Sequence, residues 1–177
     1  MKRAAFLLAA ACLSLLRVAD GEVQGGAKMF ERLRALAGEW EGSVEWSGAR
    51  SDKGKMNATY YLTGAGSSVV ENLTANGTTL MTSVYHLDGE DLRMTHFCAA
   101  QNQPRLKATR FDDAKGTIEF SFVDITNLPL PGAPHVEGFM IHFVEPGQIA
   151  LTFTFVSGRE RSYERIELRR ASSKRVG

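Results

Sequence analysis

The stretch that decides the fold is residues 38–48, GEWEGSVEWSG, in which large apolar side chains stand at even-numbered positions. Trp40, Val44 and Trp46 share one face of an extended chain, because successive side chains of a strand point to opposite faces. The same alternation returns in later segments, each ended by a turn signal, and gives ten strands in all. No helical pattern long enough for a parallel crossover separates them. The sequence therefore predicts an all-β, up-and-down antiparallel barrel.

Short turn signals separate the predicted strands. Asn76-Gly77 and Asp88-Gly89 are typical of two-residue hairpin loops of type I′. With Asp88-Gly89 as the loop, Met81 is expected opposite His96 on the neighbouring strand. Residues 124–135 contain three prolines and are instead predicted to form a long loop over one mouth of the barrel.

A short amphipathic helix is predicted before the first strand. Met29, Phe30 and Leu33 recur at helical spacing, and Gly38 is expected to end the helix as a left-handed cap. The helix is short and not strongly basic, which favours packing over a role at a membrane surface. We expect its apolar side to cover one end of the barrel.

The first 21 residues are typical of an export signal. Lys2 and Arg3 precede an apolar run over residues 4–16, which is too short to span a bilayer as a helix. Ala19-Asp20-Gly21 places small residues at the two positions that a signal peptidase reads, so we predict cleavage after residue 21. The mature protein is expected to be periplasmic or secreted. Lipidation at Cys12 is the alternative.

The remaining chain is predicted to form one barrel domain over residues 22–170, followed by a polar tail over residues 171–177. Removal of the signal takes away three basic residues and one acidic residue, so the net charge changes from +1 to about −1. A charge this small gives no reason to expect nucleic acid or an anionic membrane as a partner. Charges interrupt several strands and no aromatic girdles appear, which argues against stable insertion as an outer-membrane barrel. The oligomeric state stays unknown.

The stretch from Leu36 to Gly42, LAGEWEG, resembles the start of the first strand in the calycin superfamily of lipocalins, fatty-acid-binding proteins and nitrobindin-like barrels. In that superfamily a Gly-x-Trp motif follows a short helical segment, and an arginine of the last strand often packs over the tryptophan ring. Gly38 and Trp40 match this motif. The resemblance implies a structural role for Trp40, with Arg165 or Arg169 as the arginine.

The densest cluster of polar and reactive side chains lies in residues 94–105, where His96 and Cys98 share one face of a strand. They could line a cavity, contribute to a metal site, act as base and nucleophile, or belong to an ordinary core. Direct base catalysis is disfavoured, since residues two apart on a strand lie roughly 7 Å apart at Cα. The histidine spacing fits no standard metal motif. The resemblance to nitrobindin-like barrels adds His142 as a candidate haem ligand.

We therefore predict an exported protein that binds a small, largely apolar molecule, without a cofactor or metal and with no residue assigned as catalytic. Residues 124–135 would serve as a lid and Arg105 as a polar anchor. Two alternatives are a structural or interaction barrel with a filled core, and a haem-binding, metal-binding or small enzymatic barrel that uses His96 and Cys98 or His142. The predicted pocket is lined by Tyr60, Met81, Tyr85, Met94, His96 and Phe153.

Overall fold

The computed structural model describes residues 25–172. They form a closed barrel of ten antiparallel strands preceded by one short α-helix, which confirms the predicted fold class. The predicted export signal with its cleavage point after Gly21, the alternative lipidation site Cys12 and residues 173–177 of the tail lie outside the described residues. Within residues 25–172, no helix has the length and apolarity that crossing a membrane requires.

Each strand pairs with its neighbours in sequence, and the first strand closes the ring on the last. A 3-10 turn over Gly64–Gly66 joins the second and third strands. The elements are α1 (Gly25–Arg34), β1 (Gly38–Gly48), β2 (Asp52–Thr63), β3 (Ser68–Ala75), β4 (Thr78–Asp88), β5 (Asp91–Phe97), β6 (Gln103–Asp112), β7 (Thr117–Thr126), β8 (His135–Glu145), β9 (Gln148–Ser157) and β10 (Glu160–Arg170).

The seam between β1 and β10 depends on a glycine. Gly42 pairs with Leu168, and a Cβ atom built on Gly42 would lie 1.8 Å from the carbonyl oxygen of Glu167. No side chain fits at that distance, so only glycine lets the two strands approach closely enough to pair. The second glycine of the sequence GEWEG thus permits closure of the barrel.

Trp40 is buried where β1, β10 and the segment after α1 meet. Its indole Nε1 donates a hydrogen bond of 2.8 Å to the carbonyl oxygen of Leu36. The guanidinium of Arg170 lies over the ring at 4.6 Å and also donates hydrogen bonds of 2.8 Å to the carbonyl oxygens of Ala35 and Ala37. Arg170 therefore joins the last strand to the first strand and to the end of the helix.

Arg170 packs over Trp40 in place of Arg165 or Arg169, the two candidates that the family resemblance implied. On β10 the buried side chains are Ile166 and Leu168, so the residues between them point outward. The side chains of Arg165 and Arg169 are 57% and 71% exposed, respectively. Arg170 has the inward parity and stands directly opposite Trp40 in the β1–β10 pairing.

The predicted capping role of Gly38 is wrong. The helix ends at Arg34, and Gly38 is the first residue of β1 with a φ of +131°. A Cβ atom at this position would lie 2.8 Å from Nη1 of Arg170. Glycine is required here because of this positive φ and because the arginine that covers Trp40 passes close to the backbone.

The β3–β4 hairpin has the predicted loop. Asn76 and Gly77 have φ values of +51° and +76°, and the flanking residues Ala75 and Thr78 pair with each other. Positive φ at both central positions is the pattern of a type I′ turn.

The β4–β5 hairpin differs from the prediction by one position. Its loop is Gly89-Glu90, because Asp88 pairs with Asp91. Gly89 has a φ of +60°, and a glycine with positive φ at the first central position is typical of a type II′ turn. The register therefore moves by two residues, and Ser83 stands opposite His96 in place of Met81.

The two ends of the barrel differ. Helix α1 lies against β4, β5 and β6 and buries Met29, Phe30 and Leu33, so it covers one end as expected. The loop of residues 127–134 lies at the opposite end, where Gly158 N donates a hydrogen bond of 2.9 Å to the carbonyl oxygen of Gly132. This loop is shorter than predicted, because β7 continues to Thr126 and β8 already begins at His135.

Candidate functional site

The predicted pocket residues lie next to one another inside the barrel, but they form part of the packed core. All six are at most 4% exposed. The rings of Phe139 and Phe153 lie 4.6 Å apart, and Tyr85 packs against Phe120 and Phe139 at 6.0 Å and 6.3 Å. This half of the interior is filled by side chains. Among the predicted lining residues Tyr60, Met81, Tyr85, Met94, His96 and Phe153, only Met81 also borders the open cavity described below.

A buried carboxylic acid, Glu71, organises the polar groups of the filled half. Its carboxyl accepts hydrogen bonds from the hydroxyls of Tyr60 at 2.7 Å, Tyr85 at 3.0 Å and Ser83 at 3.3 Å. Burial raises the pKa of Glu71, while these three hydrogen bonds act in the opposite direction. Glu71 was not predicted from the sequence, although its position between the inward residues Val69 and Leu73 on β3 could have revealed it.

His96 is neutral and is part of the same cluster. Its Nδ1 atom lies 3.0 Å from the hydroxyl of Ser83, and its ring lies 5.0 Å from that of Phe153. Burial lowers the pKa of His96 to about 3, so the ring carries no charge at neutral pH. The Nε2 atom has no hydrogen-bond partner among residues 25–172.

Cys98 has the surroundings of an unreactive thiol. It is 8% exposed, its Sγ atom accepts a hydrogen bond of 3.4 Å from the backbone N–H of Ala100, and burial raises its pKa. A raised pKa keeps the thiol protonated, which disfavours the nucleophile alternative. In the part of the chain that the structure describes, no three or more His, Cys, Asp and Glu side chains are grouped to hold a metal ion.

Arg105 does not lie inside the barrel, which corrects its predicted role as polar anchor. It lies between the buried residues Pro104 and Leu106 on β6, so strand alternation places its side chain outside. There its guanidinium binds the carboxylate of Asp124 on β7 through contacts of 2.5 Å and 2.6 Å. Arg105 is half exposed and forms a surface ion pair.

His142 also faces outward, so it is not the interior haem ligand considered from the sequence. On β8 the buried neighbours Phe139 and Ile141 have the inward parity. The direct partner of Ile141 on β7 is the buried Ile118, whereas His142 pairs with Thr117. Directly paired residues share a face, and His142 therefore lies on the outer surface of the sheet.

The open half of the interior is a cavity of about 800 Å³ at the end of the barrel opposite α1. Its walls come mainly from β1, β2, β9 and β10 and from the loops at that end. Pro134, whose carbonyl oxygen accepts a hydrogen bond of 2.8 Å from Asn102, brings the loop of residues 127–134 to its edge. The apolar side chains around it include Val44, Trp46, Met56, Leu80, Met81 and Phe155.

Trp46 and Phe155 form the aromatic part of the cavity wall. Their rings lie 4.9 Å apart, and the guanidinium of Arg50 lies 4.0 Å from the Trp46 ring. Arg50 also binds the carboxylate of Asp52 at 3.3 Å, so its charge is already paired. These residues hold one side of the mouth in a defined shape.

Glu164 is the buried polar group of this cavity. It lies on β10 with inward parity, pairs directly with Trp46 and Phe153, and is 3% exposed. Burial raises its pKa to about 7, with Arg50 lowering it and Glu71 raising it further. Its Oε2 atom has no hydrogen-bond partner within residues 25–172. Glu164 was not predicted from the sequence either, although it has the same inward parity as Ile166 and Leu168.

Comparisons with known proteins support the fold alone. The sequence matches no protein-family model and no curated protein. A solved structure from Nostoc punctiforme PCC 73102, a protein of unknown function from the DUF3598 family, is similar with a TM-score of 0.54 and 14% identity over 78% of this chain. The chain spans about half (49%) of the length of that protein. Rv2717c from M. tuberculosis is similar with a TM-score of 0.54 and 12% identity, over 81% of this chain and 97% of the other.

Proposed function

We propose that this protein is an exported, calycin-type barrel that binds a small, largely apolar molecule in the cavity opposite α1. The cavity itself carries the proposal: about 800 Å³ of space bordered by aromatic and aliphatic side chains. Ligand sites of small molecules are typically concave, mostly apolar and about 300–1,000 Å³ in volume, with a few polar groups that orient the ligand. Glu164 and Arg50 are two of the polar groups that border this cavity.

The location of the proposed site differs from the one inferred from sequence. The lining residues move from the packed centre to the open end, with Trp46, Met56 and Phe155 in place of Tyr85, His96 and Phe153. Glu164, which faces inward from β10, replaces Arg105 as the proposed polar anchor. The loop of residues 127–134 stands at the mouth through Pro134, which supports its proposed role in covering the ligand.

The alternative of a filled barrel is favoured by one observation, the tight packing of the half next to α1. Phe120, Phe139 and Phe153 form a continuous aromatic cluster there, with ring centroids 5.5 Å and 4.6 Å apart. Packing of this half stabilises the barrel and leaves the other half free to bind a ligand. The two alternatives therefore differ only in whether the open cavity is occupied.

The test is native mass spectrometry of the protein purified from its own host, because a retained ligand adds its mass to the chain whatever its chemical identity. We expect one small molecule per chain. The variant A75W places a large side chain at the wall of the cavity, where Ala75 is partly buried, and is expected to lose this mass.

The matched control is V144W, which adds the same ring to an exposed position of β8 far from the cavity. V144W should retain the ligand mass as the wild type does. A wild-type protein without any added mass, in samples that are folded by circular dichroism, would favour the filled-barrel alternative. Retention of the ligand mass in A75W would place the ligand outside this cavity.

A further inference from the structure

Glu164 is unusual because it is a buried acid that has no hydrogen-bond partner within residues 25–172, although it borders a space large enough for a ligand. Buried carboxyl groups are normally hydrogen-bonded, and each exception in a folded protein needs a physical reason. Glu71 provides the contrast within this barrel, since its carboxyl accepts three hydrogen bonds from neighbouring hydroxyls. Glu164 borders the cavity, is 3% exposed and keeps Oε2 unpaired in the described part of the chain.

The charges around Glu164 are arranged by depth. On the interior side lies Glu71, a second acid, which raises the pKa of Glu164. At the mouth, Arg50 contacts Asp52 and the Trp46 ring, and is therefore already satisfied. The other charged groups that border the cavity are Lys53, Lys55 and Glu160, all of them exposed. Among the described residues that border the cavity, the only buried ionisable side chain is thus an acid.

From this arrangement we infer that the ligand is a lipophilic amine, whose protonated nitrogen binds the Glu164 carboxylate while its apolar body packs against Trp46, Met56 and Phe155. The inference rests on the proposed function, because it names the class of molecule that the same cavity takes. A protonated amine supplies the donor that Glu164 lacks and a positive charge next to two acids. Charge-assisted hydrogen bonds of this kind are about twice as strong as neutral ones.

A fatty acid or another anion fits the deep end less well. Its carboxylate would meet Glu164 and, behind it, Glu71, and like charges in a buried site repel strongly. Arg50 would have to leave Asp52 and the Trp46 ring to pair with it. A neutral alcohol can donate one hydrogen bond to Glu164 but brings no compensating charge.

The experiment compares three probes of equal chain length, decylamine, decanol and decanoate, by isothermal titration calorimetry on the mature chain at neutral pH. We expect decylamine to bind about tenfold or more tightly than decanol, and decanoate to bind most weakly. The substitution E164Q keeps the shape and an acceptor oxygen but removes the charge. It should weaken decylamine about tenfold while changing the affinity for decanol less than about threefold.

The matched control is E45Q, which removes the same charge from an exposed residue of β1 that does not border the cavity. This variant should bind all three probes as the wild type does. Equal losses of decylamine affinity in E45Q and E164Q would mean that only the overall charge of the protein matters, which would overturn the inference.

The outcomes separate this inference from the proposed function. If decanol binds and decylamine binds no more tightly, or if E164Q leaves decylamine unaffected, the cavity takes apolar ligands but the amine assignment is wrong. If none of the three probes binds a folded sample, the proposed function fails together with the inference. Circular dichroism and the urea midpoint of E164Q show whether a loss of binding reflects misfolding.

Discussion

At the scale of single residues, Arg170 makes more contacts between elements than its position at the end of β10 suggests. Its guanidinium covers Trp40 of β1 and donates two hydrogen bonds to carbonyl oxygens after α1. These carbonyl groups lie past the end of the helix, where intrahelical donors are lacking. One side chain thus fixes the helix against the seam of the barrel.

We expect R170A to lower the free energy of unfolding by about 1–2 kcal/mol, because a cation–π contact and two hydrogen bonds are lost. The measurement is urea denaturation followed by tryptophan fluorescence. The control R169A removes an exposed arginine next to it, whose nearest acidic group, Glu145, is 3.8 Å away, and should change stability by less than about 0.5 kcal/mol. Equal effects of the two variants would contradict this account.

Glu164 makes the stability of the protein dependent on pH. Its pKa is about 7 in the folded protein and near the ordinary 4.5 in the unfolded chain. Between these values the folded protein holds a proton that the unfolded chain has released, so stability falls as the pH rises. Relative to E164Q, which does not titrate, we expect the wild type to lose up to about 3 kcal/mol across this window.

The comparison with E164Q is needed because His96 acts in the opposite direction. Its pKa of about 3 lies below the ordinary 6.5, so between these values only the unfolded chain binds a proton, and stability rises with pH. Both proteins contain His96, and the difference between their urea stabilities at each pH isolates Glu164, together with its coupling to Arg50 and Glu71. A difference that stays constant from pH 4.5 to 7 would show that Glu164 does not titrate as described.

At the scale of elements, the closure of the ring depends on the contact between β1 and β10. The Gly42 backbone lies so close to Glu167 that any side chain would collide with a carbonyl group. Helix α1 and the Trp40–Arg170 contact then secure the same seam at one end. The first and last strands of the barrel are therefore joined by packing as well as by the hydrogen-bond ladder.

We expect G42A to destabilise the protein by more than about 3 kcal/mol, since the added methyl group would force the two strands apart. The control is G54A on β2, where a Cβ atom would lie 3.9 Å from Cγ1 of Val44, an ordinary contact. G54A should change stability by less than about 1 kcal/mol. Thermal unfolding by circular dichroism distinguishes the two, and similar losses in both variants would contradict the role of Gly42.

The secondary-structure elements could be predicted from the sequence where the alternation of apolar and polar residues defines them. The ten strands, the Asn76-Gly77 turn and the covering helix follow from local patterns. The register of β4 and β5 did not follow, because Asp88-Gly89-Glu90 allows two positions for a two-residue loop and only the pairing decides between them. Alternation also carries enough information to place Arg105 outside and Glu164 inside, because the buried neighbours of each residue define its parity.

At the scale of the whole molecule, the barrel is divided into a packed half next to α1 and an open half at the other end. The sequence shows which side chains face inward, but whether they meet at the centre depends on the curvature of the sheet and on the bulges. For this reason the predicted pocket residues do lie next to one another, but they form the packed core. The cavity lies closer to the open end of the barrel. The similarity to solved structures supports the shared architecture alone. The description of the cavity and of Glu164 rests on the side chains of this protein.

The central claim is that the open end of the barrel binds an apolar molecule. The positions of the two tryptophans allow a direct test of it. Trp46 borders the cavity and Trp40 is buried in the seam near α1. The measurement is a titration of the wild type and of W46F with decanol, followed by tryptophan emission. Binding at the open end predicts a saturable change of emission in the wild type and none in W46F, which retains Trp40. A response that survives in W46F, or no saturable response in the folded wild type, would contradict the claim.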